Sequence, residues 1–183
     1  MKGSLVKKIV FDPWIGSRYE SENHFGRRVL VLGESHYGGV SETRPTFTKE
    51  IIKRLGQDER CAFFTKVSKV LLDFDADTYI SDSQRSDIWE DVAFYNYIPG
   101  FVSGDARVRP NSAQWQSAQI PFKQVIDILK PQFILVLGKE LSAQIPKVDP
   151  SIQVCVIQHP STGFSYEEWN PVFQKALSVA VNC

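Results

Sequence analysis

Three short stretches of this chain gather side chains suited to proton transfer or directed hydrogen bonding. Residues 33–39 read Gly-Glu-Ser-His-Tyr-Gly-Gly, which places a carboxylate, a hydroxyl, an imidazole and a phenol in direct succession. Residues 93–99 read Ala-Phe-Tyr-Asn-Tyr-Ile-Pro, so the amide of Asn96 stands among aromatic rings. Residues 158–164 read Gln-His-Pro-Ser-Thr-Gly-Phe. An imidazole can donate to an oxygen that gains negative charge, and a carboxylate can take a proton from water. An amide offers donor and acceptor together, so Asn96 can read the edge of a heterocyclic base.

Each role has a plainer alternative. His159, with its backbone restricted by Pro160, can serve as a hydrogen-bond donor or can cap the carbonyls at a strand end. Asn96 can bond its neighbouring backbone instead of a ligand. Tyr37 and Phe47 can wall a flat ligand or belong to the core, where Phe63 and Phe64 are expected. Phe164, in a glycine-containing loop, can wedge into a base stack or fold back on the surface. Arg27, Arg28, Arg44, Arg107 and Arg109 are expected in or beside the same loops, where they can hold phosphate or simply be solvated.

The apolar runs of the sequence show what must position these groups. Val29–Leu32, Val92–Ile98, Phe133–Leu137 and Ile152–Ile157 are short apolar runs. The first, third and fourth lack clear alternation, as expected of strands covered on both faces. Helical patterns separate them: 47–55, 60–74 and 81–91 before the second run, then 112–130, with 165–181 closing the chain. Strand alternating with helix predicts a three-layer α/β fold with a four-stranded parallel sheet. Ligands of such sheets bind beyond the carboxyl ends of the strands. The stretches at 33–39, 96–97 and 158–161 all fall there and should share one rim.

Bulk properties narrow the classes. The 183 residues favour a single domain spanning 1–183, with 1–26 as an N-terminal extension whose Trp14, Tyr19 and His24 either reach over the pocket mouth or plug the sheet edge. Twenty-one basic residues balance twenty-one acidic ones, so no global field draws the chain to nucleic acid or membranes, and any DNA contact needs a local basic face. Cys61, Cys155 and Cys183 are odd in number and lack metal-ligand spacing, which predicts reduced thiols in a cytoplasmic protein. No signal-peptide core is visible, and no segment approaches the roughly 18 apolar residues of a membrane span.

Taken in order, "VLVLGESHYG", "FYNYIP", "LKPQFILVLGKEL" and "QHPSTG" resemble the motifs of the uracil-DNA glycosylase superfamily, across roughly residues 27 to 175. That resemblance implies a monomeric enzyme that binds DNA along the strand ends, flips one nucleotide into a pocket and cleaves the base–sugar bond without metal or cofactor. It implies that His159 hydrogen-bonds the departing base, Asn96 reads its edge and Phe47 stacks on its face, while Tyr37 excludes the wrong pyrimidines. Gly33 opens the motif. Ser161 with the adjoining Pro160 backbone would grip phosphate, aided by Arg44 and Arg109, and Phe164 would intercalate.

The chain departs from the family in its first motif. Many members place Asp or Asn two residues after the first glycine, followed by proline, where this chain has Ser35 and His36. A hydroxyl without a partner is a poor base, so His36 or Glu34 is expected to position the water, with a damaged or modified base, such as one in modified phage DNA, as substrate. Two other classes stay open: a DNA-binding module that kept the fold without the chemistry, and a serine hydrolase built on Ser35 with His36 or His159. The second lacks the Gly-x-Ser-x-Gly elbow, since Tyr37 occupies the place of its second glycine.

Overall fold

The computed structural model describes residues 9–104 and 108–179, so Arg107 and Cys183 lie outside the described residues. The fold is α/β, with a mixed five-stranded sheet in the order β1-β3-β2-β4-β5. These strands are β1 (Trp14–Ile15), β2 (Val29–Gly33), β3 (Val92–Asn96), β4 (Phe133–Leu137) and β5 (Gln153–Ile157). β2, β3, β4 and β5 are parallel, with Gly33 opposite Asn96 at the end of one pair and Leu137 opposite Ile157 at the end of another. Alternate side chains feed two separate cores. Val29, Val31, Phe94, Phe133 and Leu135 pack on one face, and Leu30, Leu32, Tyr95, Ile134 and Val136 pack on the other. Burial on both faces is why these runs read as continuous apolar stretches.

The expected sheet of four parallel strands is corrected by one element. β1 pairs antiparallel with β3 and covers what would otherwise be an open edge. Trp14 donates from Nε1 to the Trp89 carbonyl at 2.8 Å, and Tyr19 is fully buried with its hydroxyl donating to Leu129 O at 3.2 Å. The extension therefore closes the sheet edge. Glycine is required at Gly16, because a Cβ there would lie 2.4 Å from the Glu90 backbone. A two-residue strand is too short to leave a periodic signal.

The helices are α1 (Phe47–Ile51), α2 (Ala62–Leu71), α3 (Asp82–Asp87), α4 (Ser112–Ser117), α5 (Gln119–Leu129), α6 (Lys139–Gln144) and α7 (Tyr166–Ser178). A π-helical segment, Ile52–Asp58, continues α1. Capping boxes start α3 at Ser81 with Gln84 and α4 at Asn111 with Gln114, each cap contributing about 1 kcal/mol. The predicted helix 112–130 divides at Ala118, and Pro121 sits in the first turn of α5, where no intrahelical donor is needed. Among the described residues no helix is long and apolar enough to cross a membrane, and no cluster of His, Cys, Asp or Glu could hold a metal ion.

Beyond the strand ends, the chains leaving β2 and β3 stay side by side. Tyr97 N donates to Gly33 O at 2.9 Å, Ile98 N to Glu34 O at 3.0 Å and Val102 N to His36 O at 3.2 Å. This extended pairing fixes residues 34–37 as a rigid wall.

Candidate functional site

At the carboxyl ends of the parallel strands lies a cavity of about 570 Å³. Glu34, Ser35, His36 and Tyr37 line it from the β2 end, Asn96 from β3, and His159, Ser161 and Thr162 from the turn after β5. Phe47, Ile51, Leu55, Phe63, Phe64, Phe94 and Arg109 complete the wall. The three sequence stretches thus converge on one cavity.

Asn96 is 7% exposed, and its side-chain amide makes no hydrogen bond among the described residues, so it meets the cavity with donor and acceptor uncommitted. Phe47 is buried and braced by Phe11, His36 and Phe101, with ring centroids 5.3, 5.0 and 4.9 Å away. Tyr37 stands half-buried at the same wall.

The two histidines occupy different environments. His36 is 6% exposed, sits edge-on to Phe11 and Phe47, and shares a 2.9 Å hydrogen bond between Nε2 and the Thr48 hydroxyl. Burial lowers its pKa to about 4, so it is neutral at pH 7. His159 accepts at Nδ1 from the Ser161 backbone N–H at 3.2 Å, which leaves the neutral ring's proton on Nε2 as a donor. Burial, and then the charge of Arg109, hold the His159 pKa below its ordinary value. Its ring packs 5.4 Å from Phe63, and its carbonyl accepts from Thr162 N and Oγ1 at 3.0 and 2.8 Å. Lys66 donates to the Pro160 carbonyl at 2.9 Å, tying this turn to α2.

Glu34 is the carboxylate of the site. Its side chain is 10% exposed, and Arg109 donates to it at 3.1 Å while also pairing with Glu140. Desolvation raises its pKa, Arg109 works against that rise and Glu140 adds to it. The Ser35 hydroxyl bonds to neither histidine: His36 Nε2 is engaged by Thr48 and His159 Nδ1 by the Ser161 backbone. Among the described residues no Ser–His pair of a serine hydrolase is formed.

Of the other expected site residues, Pro160, Arg44 and Phe164 stand outside the cavity wall. Pro160 is buried. The backbone N–H groups of Ser161 and Thr162 both bond His159 itself, so the exposed Ser161 side chain rather than these two groups is left to meet a phosphate there. Arg44 pairs with Glu50 and lies 5.3 Å over the Phe47 ring, outside the cavity wall. Phe164 is half-buried, edge-on to Tyr166 at 5.5 Å and packed against the core, so it is no exposed tip. Arg27 and Arg28 precede β2 and lie at its amino end, away from the rim, where Arg28 donates to the Lys130 carbonyl at 2.7 Å.

The sequence reading missed part of the wall. Phe63 was expected in the core with Phe64. Adjacent residues on a helix lie about 100° apart, so only Phe64 packs fully inward while Phe63 turns toward His159. Ile51 and Leu55 carried no chemical signal, and Glu140 and Thr48 matter only through the residues they touch. No family model matches the chain, and no curated protein matches it.

Proposed function

We propose that this chain is a monofunctional DNA glycosylase, built on a uracil-DNA glycosylase-like sheet, that flips a damaged or modified base into the cavity and hydrolyses its N-glycosidic bond. The observation carrying this reading is the meeting of Asn96, His159 and Glu34 on one cavity, the first with its amide uncommitted and the second neutral with a donor on Nε2. In the reaction the bond from the base nitrogen to the sugar C1′ breaks, and its electron pair leaves with the base. The His159 Nε2–H donates to the base oxygen that gains the charge. Asn96 holds the polar edge of the base and Phe47 its face. Water adds to C1′ and gives its proton to Glu34, whose raised pKa suits that task. His36, bonded to Thr48, acts as a strut for the wall. Arg109, which also pairs with Glu34 and Glu140, and the Ser161 hydroxyl face the DNA backbone.

The test is a panel of single- and double-stranded oligonucleotides carrying damaged and modified bases, scored for alkali-labile cleavage. At least one substrate should be cut, and His159→Ala should remove most of that activity. A second reading, a DNA-binding module without chemistry, is favoured by the Ser35 hydroxyl, which bonds to no base. Salt-sensitive DNA binding with no base released from any substrate would establish it and end the enzymatic one.

A further inference from the structure

We propose that the cavity accepts a base enlarged by an apolar, preferably flat, substituent, and that Ile51, Leu55 and Phe63 form the annex that receives it. This rests on the reading of the cavity as a base pocket. A nucleobase has roughly ten heavy atoms, and even at the ~30 Å³ that each water takes in the liquid it fills about 300 Å³. The cavity measures about 570 Å³, so a base alone does not fill it. Sugar and phosphate are polar and anionic, and belong at the Arg109 and Ser161 rim. Ile51 at the end of α1, Leu55 on the π-helical segment and Phe63 on α2 supply apolar side chains to the lining of the same cavity.

All three are half-buried side chains of a cavity wall, and none offers a hydrogen bond. Water held against them would lack the two to four polar partners that fix an ordered water. An apolar group releases that water and gains contact on several sides, whereas a hydroxyl-rich substituent would lose its own hydration with no replacement. Continuity with Asn96 and His159 makes the occupant part of the same ligand: one end polar and read by hydrogen bonds, the other apolar and held by shape.

The experiment compares equilibrium binding of 2′-deoxyuridine with 5-phenyl-2′-deoxyuridine, and of 2′-deoxyadenosine with N6-benzyl-2′-deoxyadenosine. In parallel, oligonucleotides carrying the same four nucleosides are scored for released base. At least one aryl nucleoside should bind about tenfold or more tighter than its parent. Leu55→Trp, which fills the annex, should erase that advantage. If circular dichroism shows Leu55→Trp unfolded, Ile51→Phe takes its place. Aryl nucleosides binding no tighter than their parents, or an advantage that survives the filled annex, would overturn the proposal. Aryl binding with no base released from any oligonucleotide supports the annex and counts against glycosylase chemistry. Release of uracil without any aryl preference does the reverse.

Discussion

Gly33 and Asn96 face each other across β2 and β3, and a Cβ added to Gly33 would lie 2.1 Å from Asn96 Oδ1. The missing side chain is what lets the amide occupy its place at the cavity. Gly33→Ala must therefore displace the Asn96 side chain. The atom struck is the end of a flexible group, so the fold should lose only about 1 kcal/mol. Nucleoside binding should weaken on the order of tenfold to a hundredfold, the value of a misplaced amide. Thermal unfolding and binding titrations separate the two effects. Unchanged binding in a folded variant would mean that Asn96 does not read the ligand.

His36 should make the protein acid-sensitive in a definite window. Its folded pKa of about 4 lies below the ordinary value of 6.5, and burial is the cause. The unfolded chain takes up a proton as pH falls through 6.5, whereas the folded chain refuses it until about 4. The stability contribution is thus complete above pH 6.5 and is lost on acidification between those values. His36→Gln keeps an amide for Thr48 and removes the titration. Urea unfolding at pH 7 and pH 5 should show the gap between wild type and variant shrinking by about 2 kcal/mol. His159 titrates in both proteins, so its contribution cancels. A constant gap would place His36 in contact with solvent.

Much of this site was legible because strand-end chemistry does not depend on packing detail. Once Val29–Leu32 and Ile152–Ile157 read as parallel buried strands, Glu34 and His159 had to share a rim. What stayed hidden depended on three dimensions. Nothing in the sequence tells that Phe11 would brace His36, 25 residues away, or that Thr48 would occupy its Nε2. His36 therefore read as a candidate base, with no sign that Thr48 engages its Nε2. Arg27 and Arg28 were expected in or beside the rim loops, yet they precede the strand and so lie at its opposite end. Strand direction, applied to them as it was to His159, would have removed both.

The π-helical segment that carries Leu55 is held from behind by Arg85. This side chain is 1% exposed and donates to the carbonyls of Gly56, Glu59 and Gln57 at 2.7, 2.9 and 2.9 Å. Arg85→Met fills similar space with no donor, leaving those carbonyls without it. The expected loss is on the order of 3 kcal/mol in urea unfolding. Arg85→Lys should not restore it, because an ammonium cannot reproduce the fork that spans separate acceptors. A loss under about 1 kcal/mol would show that the segment is fixed by other contacts, with Trp89 against Gly56 the first candidate.

Glu34, Arg109 and Glu140 provide a test of which group handles the water. If Glu34 accepts its proton, the rate of base release must fall on the acid side as Glu34 becomes protonated. Arg109 lowers the Glu34 pKa and Glu140 raises it, although burial is the larger influence on it than either. Arg109→Ala should therefore move the acid limb of kcat/KM to higher pH, and Glu140→Gln should move it to lower pH. Arg109 also lowers the pKa of His159, so an upward shift in Arg109→Ala alone does not single out Glu34. The Glu140→Gln shift does, because the charge of Glu140 bears on Glu34. Glu34→Gln should remove that limb together with most of the rate while the fold remains. Rates in Glu34→Gln that match wild type across pH would exclude the carboxylate from the reaction, and the water would then have to be placed by Ser35 or by the substrate itself.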